Sequence, residues 1–443
     1  MLLSAACKSV GESKESNKLQ LICMADLHSA YHNLPGIVGY LEEYSSRIED
    51  PMVILINGDL FEKRNTVAKK SGGAIEWKFL EKLQNTAPVV FNIGNHEGAF
   101  EDDLRLVVDR MESLGIVVLS NIADRNTGQA LAPTSQILQF GNKKVRFIGM
   151  ATDQENTYRS IHREKWAFPN LEKFIETALD TLIGEGDLHV VLNHSGIQYD
   201  QLLVEKLPRG SVILGGHDHL TATYESDGII ALHTGWWGSR MDIVSVHWEN
   251  KKAKLERTTV NTDCGLPEDR ELKDYIAEKE RRLLNESHRK IRGVNKFISG
   301  HEETKAFVLN NLHRATGTDA TLINNTTFGA PLPEGNVREY DLVNTIRFDG
   351  YMKKATVVGS DLLKIMKLAN QSYMPYWKLR TGEYALGLFP TMIYEDSIYS
   401  ISVNPWMALP ENQKQFLGID SSLHFVPIKQ AGTIRGITAA QIH

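Results

Sequence analysis

A chain of 443 residues is too long for one typical hydrophobic core and points to two domains. Its composition, 42% hydrophobic and 23% charged, is that of an ordinary globular protein, and a net charge of -6 with a pI near 6.2 argues against a dedicated nucleic-acid binder. Three cysteines, Cys7, Cys23 and Cys264, have no metal-knuckle spacing and require no framework of bridges, and no apolar run is long enough to span a membrane.

The chain begins Met1-Leu2-Leu3-Ser4-Ala5-Ala6-Cys7, followed by a polar tract from Lys8 to Lys18. The small residues before Cys7 resemble the end of a bacterial lipoprotein signal whose cysteine carries the lipid, although the basic start and most of the apolar region are missing. Residues 1–18 are therefore expected to be a lipoprotein-type tether, placing the protein in the cell envelope or periplasm. The alternative is a disordered tail on a cytoplasmic protein.

From Leu19 the chain alternates strand and helix. Leu19 to Met24 is an apolar run that ends at Asp26. Leu34, Ile37, Val38, Leu41 and Tyr44 fall at helical spacing. Met52 to Ile56 is the next strand, ending at Gly58-Asp59, and Pro88 to Ile93 the third, ending at Gly94-Asn95-His96. Leu104, Val107, Val108, Met111 and Leu114 form a helix face that Gly115 stops. Val117 to Leu119, Val145 to Met150, Val190 to Leu192 and Val212 to Leu214 continue the strand series. Ile229 to Leu232 and Ile243 to Trp248 read as antiparallel strands, with a turn at Glu249-Asn250-Lys251. Between about Leu266 and Arg292 charge is dense while Leu272, Ile276, Leu283 and Leu284 recur at near-helical spacing, which predicts a helix linking two domains. Beyond it, Phe307, Val308, Leu309 and Leu312 begin a helix, Thr321 to Ile323 is a strand, and Ser360 reads as the N-cap of a helix carrying Leu362, Ile365, Met366 and Ala369. The domains then run 19–262 and 294–443, joined by 263–293.

Five short polar patches follow strands in the first half: Asp26-Leu27-His28, Gly58-Asp59, Gly94-Asn95-His96-Glu97, Asn193-His194 and Gly215-Gly216-His217-Asp218-His219. In α/β sheets, ligands bind at the carboxyl ends of strands, and every patch lies at such an end. Together they offer carboxylate, amide and imidazole ligands to two adjacent divalent cations, which Mn, Zn, Fe and Mg could all be in part. Such a centre suits hydrolysis of a phosphate ester, and its cations would reverse the sign of an acidic chain locally. Each patch alone is weak: a lone Asn-His is more often a buried histidine than a ligand.

All five in order resemble the calcineurin-like metallophosphoesterases, whose pattern is D-x-H, GD, GNH[ED], a lone His and GHxH, over roughly Leu19 to Asn261. The resemblance implies a four-layer αββα sandwich. It assigns Asp26, His28, Asp59 and His219 to one metal, and Asp59, Asn95, His194 and His217 to the other. It implies a metal-bridging hydroxide as nucleophile. His96 would stabilise the transition state or protonate the leaving oxygen, and Asp218 would point away from the metals.

The second half is similar to the C-terminal domain of 5'-nucleotidases, a second α/β domain, over Phe307 to Leu312, Thr316 to Asp319, Leu322 to Asn325, Tyr340 to Val343, Phe348-Asp349 and Gly359 to Leu362. The resemblance implies a phosphomonoesterase that takes a nucleotide or similar small phosphoester, not a nucleic-acid polymer, with aromatic residues stacking on the base. Candidates for substrate contact are Asn325, Tyr376, Trp377 and Trp406, with Tyr373 in the same loop as Tyr376. Trp236 and Trp237 lie near the metal mouth by sequence order, either lining the cleft or packing. Two positions depart from the pattern. Ala99 stands where an Asp orients the catalytic His, leaving Asp102 or Asp103 as substitutes, and Gly329 stands where an Arg contacts the nucleotide. The alternatives are a cyclic-nucleotide or other phosphodiesterase, and an envelope ligand-binding protein with a vestigial metal site. Oligomeric state is not legible.

Overall fold

The computed structural model describes residues 17–250, 252–371, 374–379, 384–419 and 422–442. Cys7 and the tract proposed as its tether up to residue 16, Lys251 and Tyr373 lie outside them. The first half is two six-stranded sheets packed face to face. One is built from β1 (Lys18–Ala25), β2 (Met52–Asn57), β3 (Val89–Asn92) and β4 (Val117–Leu119). A minor ribbon pairs β5 (Ala123–Asp124) with a later short strand. The second sheet begins with β6 (Ser135–Phe140) and β7 (Lys143–Ala151), and the ribbon's partner is β8 (Trp166–Ala167). The second sheet continues through β9 (Leu188–His194), β10 (Val212–Gly215), β11 (Thr221–Ser226) and β12 (Ile229–Thr234). Finally β13 (Arg240–Glu249) and β14 (Lys252–Asn261) return to the first sheet. The orders are β14-β13-β1-β2-β3-β4 and β11-β12-β10-β9-β7-β6. In the first sheet β1 to β4 pair in parallel and β13 and β14 add antiparallel at one side; in the second the central pairs are parallel and both edge pairs antiparallel.

Alternation along each strand builds three layers of core. On β1, Leu19, Leu21 and Cys23 face the opposite sheet, while Ile22 and Met24 face the helices Leu34–Arg47, Ala74–Thr86 and Leu104–Ser113. Val53 and Leu55 of β2 join the inter-sheet layer with Val145, Phe147, Val190, Leu192, Val212 and Leu214. The helices Leu171–Thr177, Leu179–Ile183 and Asp200–Lys206 cover the outer face of the second sheet. Burial on both faces is why these strands read as continuous apolar runs, and the result is the expected αββα sandwich. Leu55 is fully buried between the sheets. Leu55→Ala should therefore cost about 2–5 kcal/mol in urea-induced unfolding, and a loss below about 1 kcal/mol would show that the sheets collapse onto the gap.

The second half holds the ribbon β15 (Ile291–Asn295) with β17 (Gly335–Arg338), and a mixed sheet. That sheet contains β16 (Ala320–Asn324), β18 (Lys353–Val358), β19 (Ala385–Leu388), β20 (Ile398–Val403) and β21 (Val426–Pro427), in the order β19-β16-β20-β18-β21. Helices Gly359–Leu368 and Pro410–Leu417 cover one face, Gly300–Thr316 and Ile434–Ala439 the other. Among the described residues no helix is long and apolar enough to cross a membrane.

Several local expectations are corrected. Ile229–Thr234 and Arg240–Glu249 lie in different sheets, and β12 runs parallel to β10 as well as antiparallel to β11. The linking helix is shorter, Arg270–Leu283, and its Leu272 and Ile276 are buried in the first half's core, so it is a layer of that sandwich as well as a link. The helix expected from Phe307 starts at Gly300. Ser360 lies inside the first turn of its helix, whose N-cap is Val358 with no side-chain bond.

Candidate metal centre

The carboxyl ends of β1, β2, β3, β9 and β10 meet at one edge of the sandwich, and all five polar patches meet with them. His28 Nε2 and His219 Nε2 lie 2.9 Å apart, and they stand 3.9 and 3.8 Å from Asp26 Oδ1. On the other side, His194 Nε2 is 3.3 Å from Asp59 Oδ1, and His217 Nδ1 is 2.9 Å from Asn95 Oδ1. Asp59 joins the halves: Oδ1 faces His194 while Oδ2 is 3.8 Å from His28 Nε2. Of three groups able to hold a cation among the described residues, Asp26-His28-His219 and Asp59-His194-His217 share Asp59 as a carboxylate neighbour, and the third is His28-Glu62-His96.

The backbone is bent to deliver these side chains. Asp26, His28, Asp59, His217 and His219 all have positive φ, 43–78°, a region that costs a non-glycine residue about 1–2 kcal/mol. Strain of this kind persists where the surrounding fold over-determines it, and it clusters at functional sites. Glycines supply the remaining space. A Cβ on Gly94 would lie 2.5 Å from Asp59 Oδ1 and 2.8 Å from His194 Nε2. Glu97 clamps the floor, accepting the N–H of Leu60 at 2.9 Å and of Gly94 at 2.6 Å.

The donor set fits a metal. Burial holds His28 and His219 well below the usual histidine range and His217 at about 3, so these imidazoles keep a free lone pair. Burial raises the Asp26 carboxyl well above its usual range. For Asp59 the imidazoles of His194 and His96 outweigh burial and hold it low. Burial opposes the charge on His194, yet the Asp59 carboxylate pushes it up to about 10. His194 Nδ1 donates to the Asn57 carbonyl at 2.7 Å, which leaves Nε2 buried without a hydrogen-bond partner and aimed at Asp59. An orphaned imidazole nitrogen oriented by a backbone carbonyl is the arrangement of a metal-ligating histidine.

His96 sits at the edge of this cluster, part-exposed, its ring 4.7 Å from that of His28 and its backbone N–H bonded to Asp59 Oδ1 at 2.8 Å. Neither expected acidic partner reaches it: Asp102 pairs with Arg159 at 2.6 Å, and Asp103 caps a helix and pairs with Lys165 at 2.5 Å. The carboxylate beside it is Glu62, whose Oε2 lies 4.0 Å from His96 Nδ1 and 3.7 Å from His28 Nδ1. Glu62 is held by Arg347 Nη2 at 2.5 Å, a residue of the second half. Arg347 also explains Gly329. Phe328 and Ile346 form a β-bridge, and a Cβ at Gly329 would lie 2.1 Å from the Asn344 carbonyl oxygen. No side chain fits there, and the adjoining segment delivers a guanidinium instead, over Trp237 at 4.6 Å. Trp237 in turn stacks on His28 at 4.4 Å. Glu62 and Arg347 were not singled out from the sequence. Glu62 lies three residues after Asp59, and Arg347 immediately precedes a Phe-Asp pair that was.

Asp218 turns away, accepting the N–H of Ile197 at 2.6 Å. The other substrate candidates stand elsewhere. Tyr376 donates to Asp200 Oδ2 at 2.5 Å, and its neighbour Trp377 packs on Tyr224. Trp406 is 47% exposed, and Asn325 is buried with its side chain unpartnered. None of the four lines either cavity beside the histidines. One cavity, about 320 Å³, is bounded by His28, Tyr31, Trp237, Tyr340 and Arg347. The other, about 150 Å³, is bounded by Asn95, His96, Arg159, Arg347 and Phe348.

The family model for calcineurin-like phosphoesterases matches residues 19–220, and that for the 5'-nucleotidase C-terminal domain matches residues 293–398. An uncharacterized metallophosphoesterase of Bacillus subtilis, YunD, is 27% identical over 372 residues, 77% of this chain and 78% of its own. The structure of a 5'-nucleotidase precursor from Thermus thermophilus superposes over 96% of both chains with a TM-score of 0.59 at 16% identity. The sulfate thiohydrolase SoxB from the same organism superposes over 92% of this chain and 80% of its own, with a TM-score of 0.61 at 12% identity. Those two structures establish the two-domain fold, and their different activities show that this fold does not by itself set the substrate.

Proposed function

The chain belongs to the calcineurin-like phosphoesterases that carry a 5'-nucleotidase C-terminal domain, and on that premise we propose that it is a phosphomonoesterase with two divalent cations, acting on a nucleotide or similar small phosphoester. The observation that carries this reading is the position of Asp59, one carboxylate between two sets of imidazoles. Asp26, His28, Asp59 and His219 would hold one cation, and Asp59, Asn95, His194 and His217 the other. Bound there, the cations supply a nucleophilic oxygen from water at neutral pH and neutralise charge on the phosphoryl oxygens.

The chain's own residues do the rest. His96, part-exposed at the mouth, delivers a proton to the leaving oxygen, and Glu62 Oε2 stands 4.0 Å from its Nδ1. Arg347 presents its guanidinium to the phosphoryl group from the second domain, residues 294–443, and Trp237 holds the His28 ring in place. Trp237 and Tyr340 supply apolar walls for the leaving group in the larger cavity.

With Mn²⁺ the purified protein should hydrolyse 4-nitrophenyl phosphate and nucleoside 5'-monophosphates faster than bis(4-nitrophenyl) phosphate or cyclic nucleotides. Preference for the diesters would replace the monoesterase reading with a phosphodiesterase. Absence of turnover with Mn²⁺, Zn²⁺, Fe²⁺ and Mg²⁺ alike would leave a ligand-binding protein.

A further inference from the structure

The smaller cavity beside His96 has a charge pattern that cleavage of a single phosphate does not call on. Its ionised lining is Lys63, Arg64, Arg159 and Arg347, with no Asp or Glu among the lining residues. Carboxylates outside it account for two of these: Asp102 pairs with Arg159, and Glu62 with Arg347. No carboxylate stands within ion-pair distance of Lys63 or Arg64 among the described residues. The larger cavity differs. There Arg64, Lys273, Arg338 and Arg347 are matched by Glu62, Glu268, Glu280 and Asp341. Arg64 and Arg347 line both cavities.

Two of the cations are also crowded. Arg64 lies over the Phe348 ring at 4.2 Å and Arg347 over the same ring at 5.5 Å, so one aromatic residue carries both guanidinium groups. Burial lowers the Arg64 pKa, and repulsion from Arg347 lowers it further than attraction to Glu62 restores it. Arg347 is 7% exposed, and its Nε has no hydrogen-bond partner. Glu62 is taken by Arg347 and only partly offsets the charge of Arg64, so Lys63 and the Arg64 guanidinium are left without an ion-paired carboxylate; a bound anion stabilises such cations, and arginine forks suit phosphate.

We propose that Lys63 and Arg64, beside Arg347, form a second anion subsite, and that the substrate carries a second phosphate group besides the one cleaved. This rests on the phosphoester-hydrolase reading and names its substrate class: a phosphoester whose leaving group or reacting group is itself phosphorylated. Lys63 and Arg64 follow Asp59 closely in the chain, so the subsite is built on the same half of the chain as the metal ligands.

The double variant Lys63→Ala, Arg64→Ala tests this. Its kcat/KM for ADP and for fructose 1,6-bisphosphate should fall about tenfold to a hundredfold more than its kcat/KM for 4-nitrophenyl phosphate. ADP and the bisphosphate separate a directly joined second phosphate from one on a short linker, and selective loss on either one supports the subsite. In calorimetry on the metal-free protein, inorganic pyrophosphate should bind more tightly than inorganic phosphate, and the double variant should erase that preference. Equal losses on all three substrates, or equal binding of pyrophosphate and phosphate to the unaltered protein, would overturn the proposal. If the unaltered protein hydrolysed no phosphoester, the function reading would fall, and the pyrophosphate titration would still decide whether the subsite exists.

Discussion

Asp59→Asn is expected to lower phosphoester hydrolysis by about 10³-fold or more at saturating metal, a loss of about 4 kcal/mol of transition-state stabilisation. The expectation follows from geometry. Oδ1 faces His194 Nε2 at 3.3 Å and accepts the His96 N–H at 2.8 Å, while Oδ2 faces His28 Nε2 at 3.8 Å. An amide has one acceptor oxygen, so its NH₂ must face one of the imidazole groups and offer a donor where a cation needs a ligand. Elemental analysis should find two ions per chain in the unaltered protein and fewer in the variant. Added Mn²⁺ should raise the melting temperature of the unaltered protein more than that of the variant, because a ligand bound only to the folded state stabilises it. A variant that kept two ions and a tenth of the activity would remove Asp59 from the bridging position.

The second large effect is expected at Glu62. Glu62 and Arg347 are 3% and 7% exposed, and their ion pair joins the two halves of the chain beside the candidate metal centre. Glu62→Ala leaves a guanidinium buried against Trp237 without its carboxylate, and removing one partner of a buried pair costs about 3–5 kcal/mol. The same change takes away the carboxylate nearest His96 Nδ1, so kcat should fall with stability. Glu62→Gln keeps an acceptor for Arg347 and should recover more stability than activity. Although burial works against its charge, Arg347 and then His96 hold the Glu62 carboxyl below its ordinary value of 4.5. A group depressed in the folded state stabilises above its unfolded pKa, so this contribution is present at neutral pH and is lost as pH falls through the depressed value. Thermal unfolding of both variants against pH measures it. An Ala variant as stable and as active as the unaltered protein would show that the pair neither joins the halves nor serves His96.

The candidate metal centre was legible because its signal is local. Each patch follows a strand whose apolar run is continuous, and Asp26, Asp59, Asn95, His194 and His217 then fall at strand ends on one edge. The edge strands were harder to see. Lys252–Asn261 alternates exposed and half-buried positions without an apolar run, and it pairs along its whole length with β13. The aromatic candidates show the opposite failure. Tyr376 and Trp377 have the residue types of a base clamp, yet the tyrosine hydroxyl is engaged by Asp200 and its ring lies near His233, which pairs with the same Asp200. Residue type alone does not say which face of which domain a ring will meet.

What the sequence by itself determined is the set of strand-end polar patches and the two-domain architecture, because backbone periodicity and short-range spacing encode both. What only the tertiary structure decided is the company those patches keep. Glu62 stands beside His96 where Ala99 offers no acid, and Arg347 comes from the segment after Gly329; the two are 285 residues apart in the chain and in contact in the fold. Their meeting depends on how the second domain packs against the first, and a pairing across that distance leaves no periodicity for a single sequence to display.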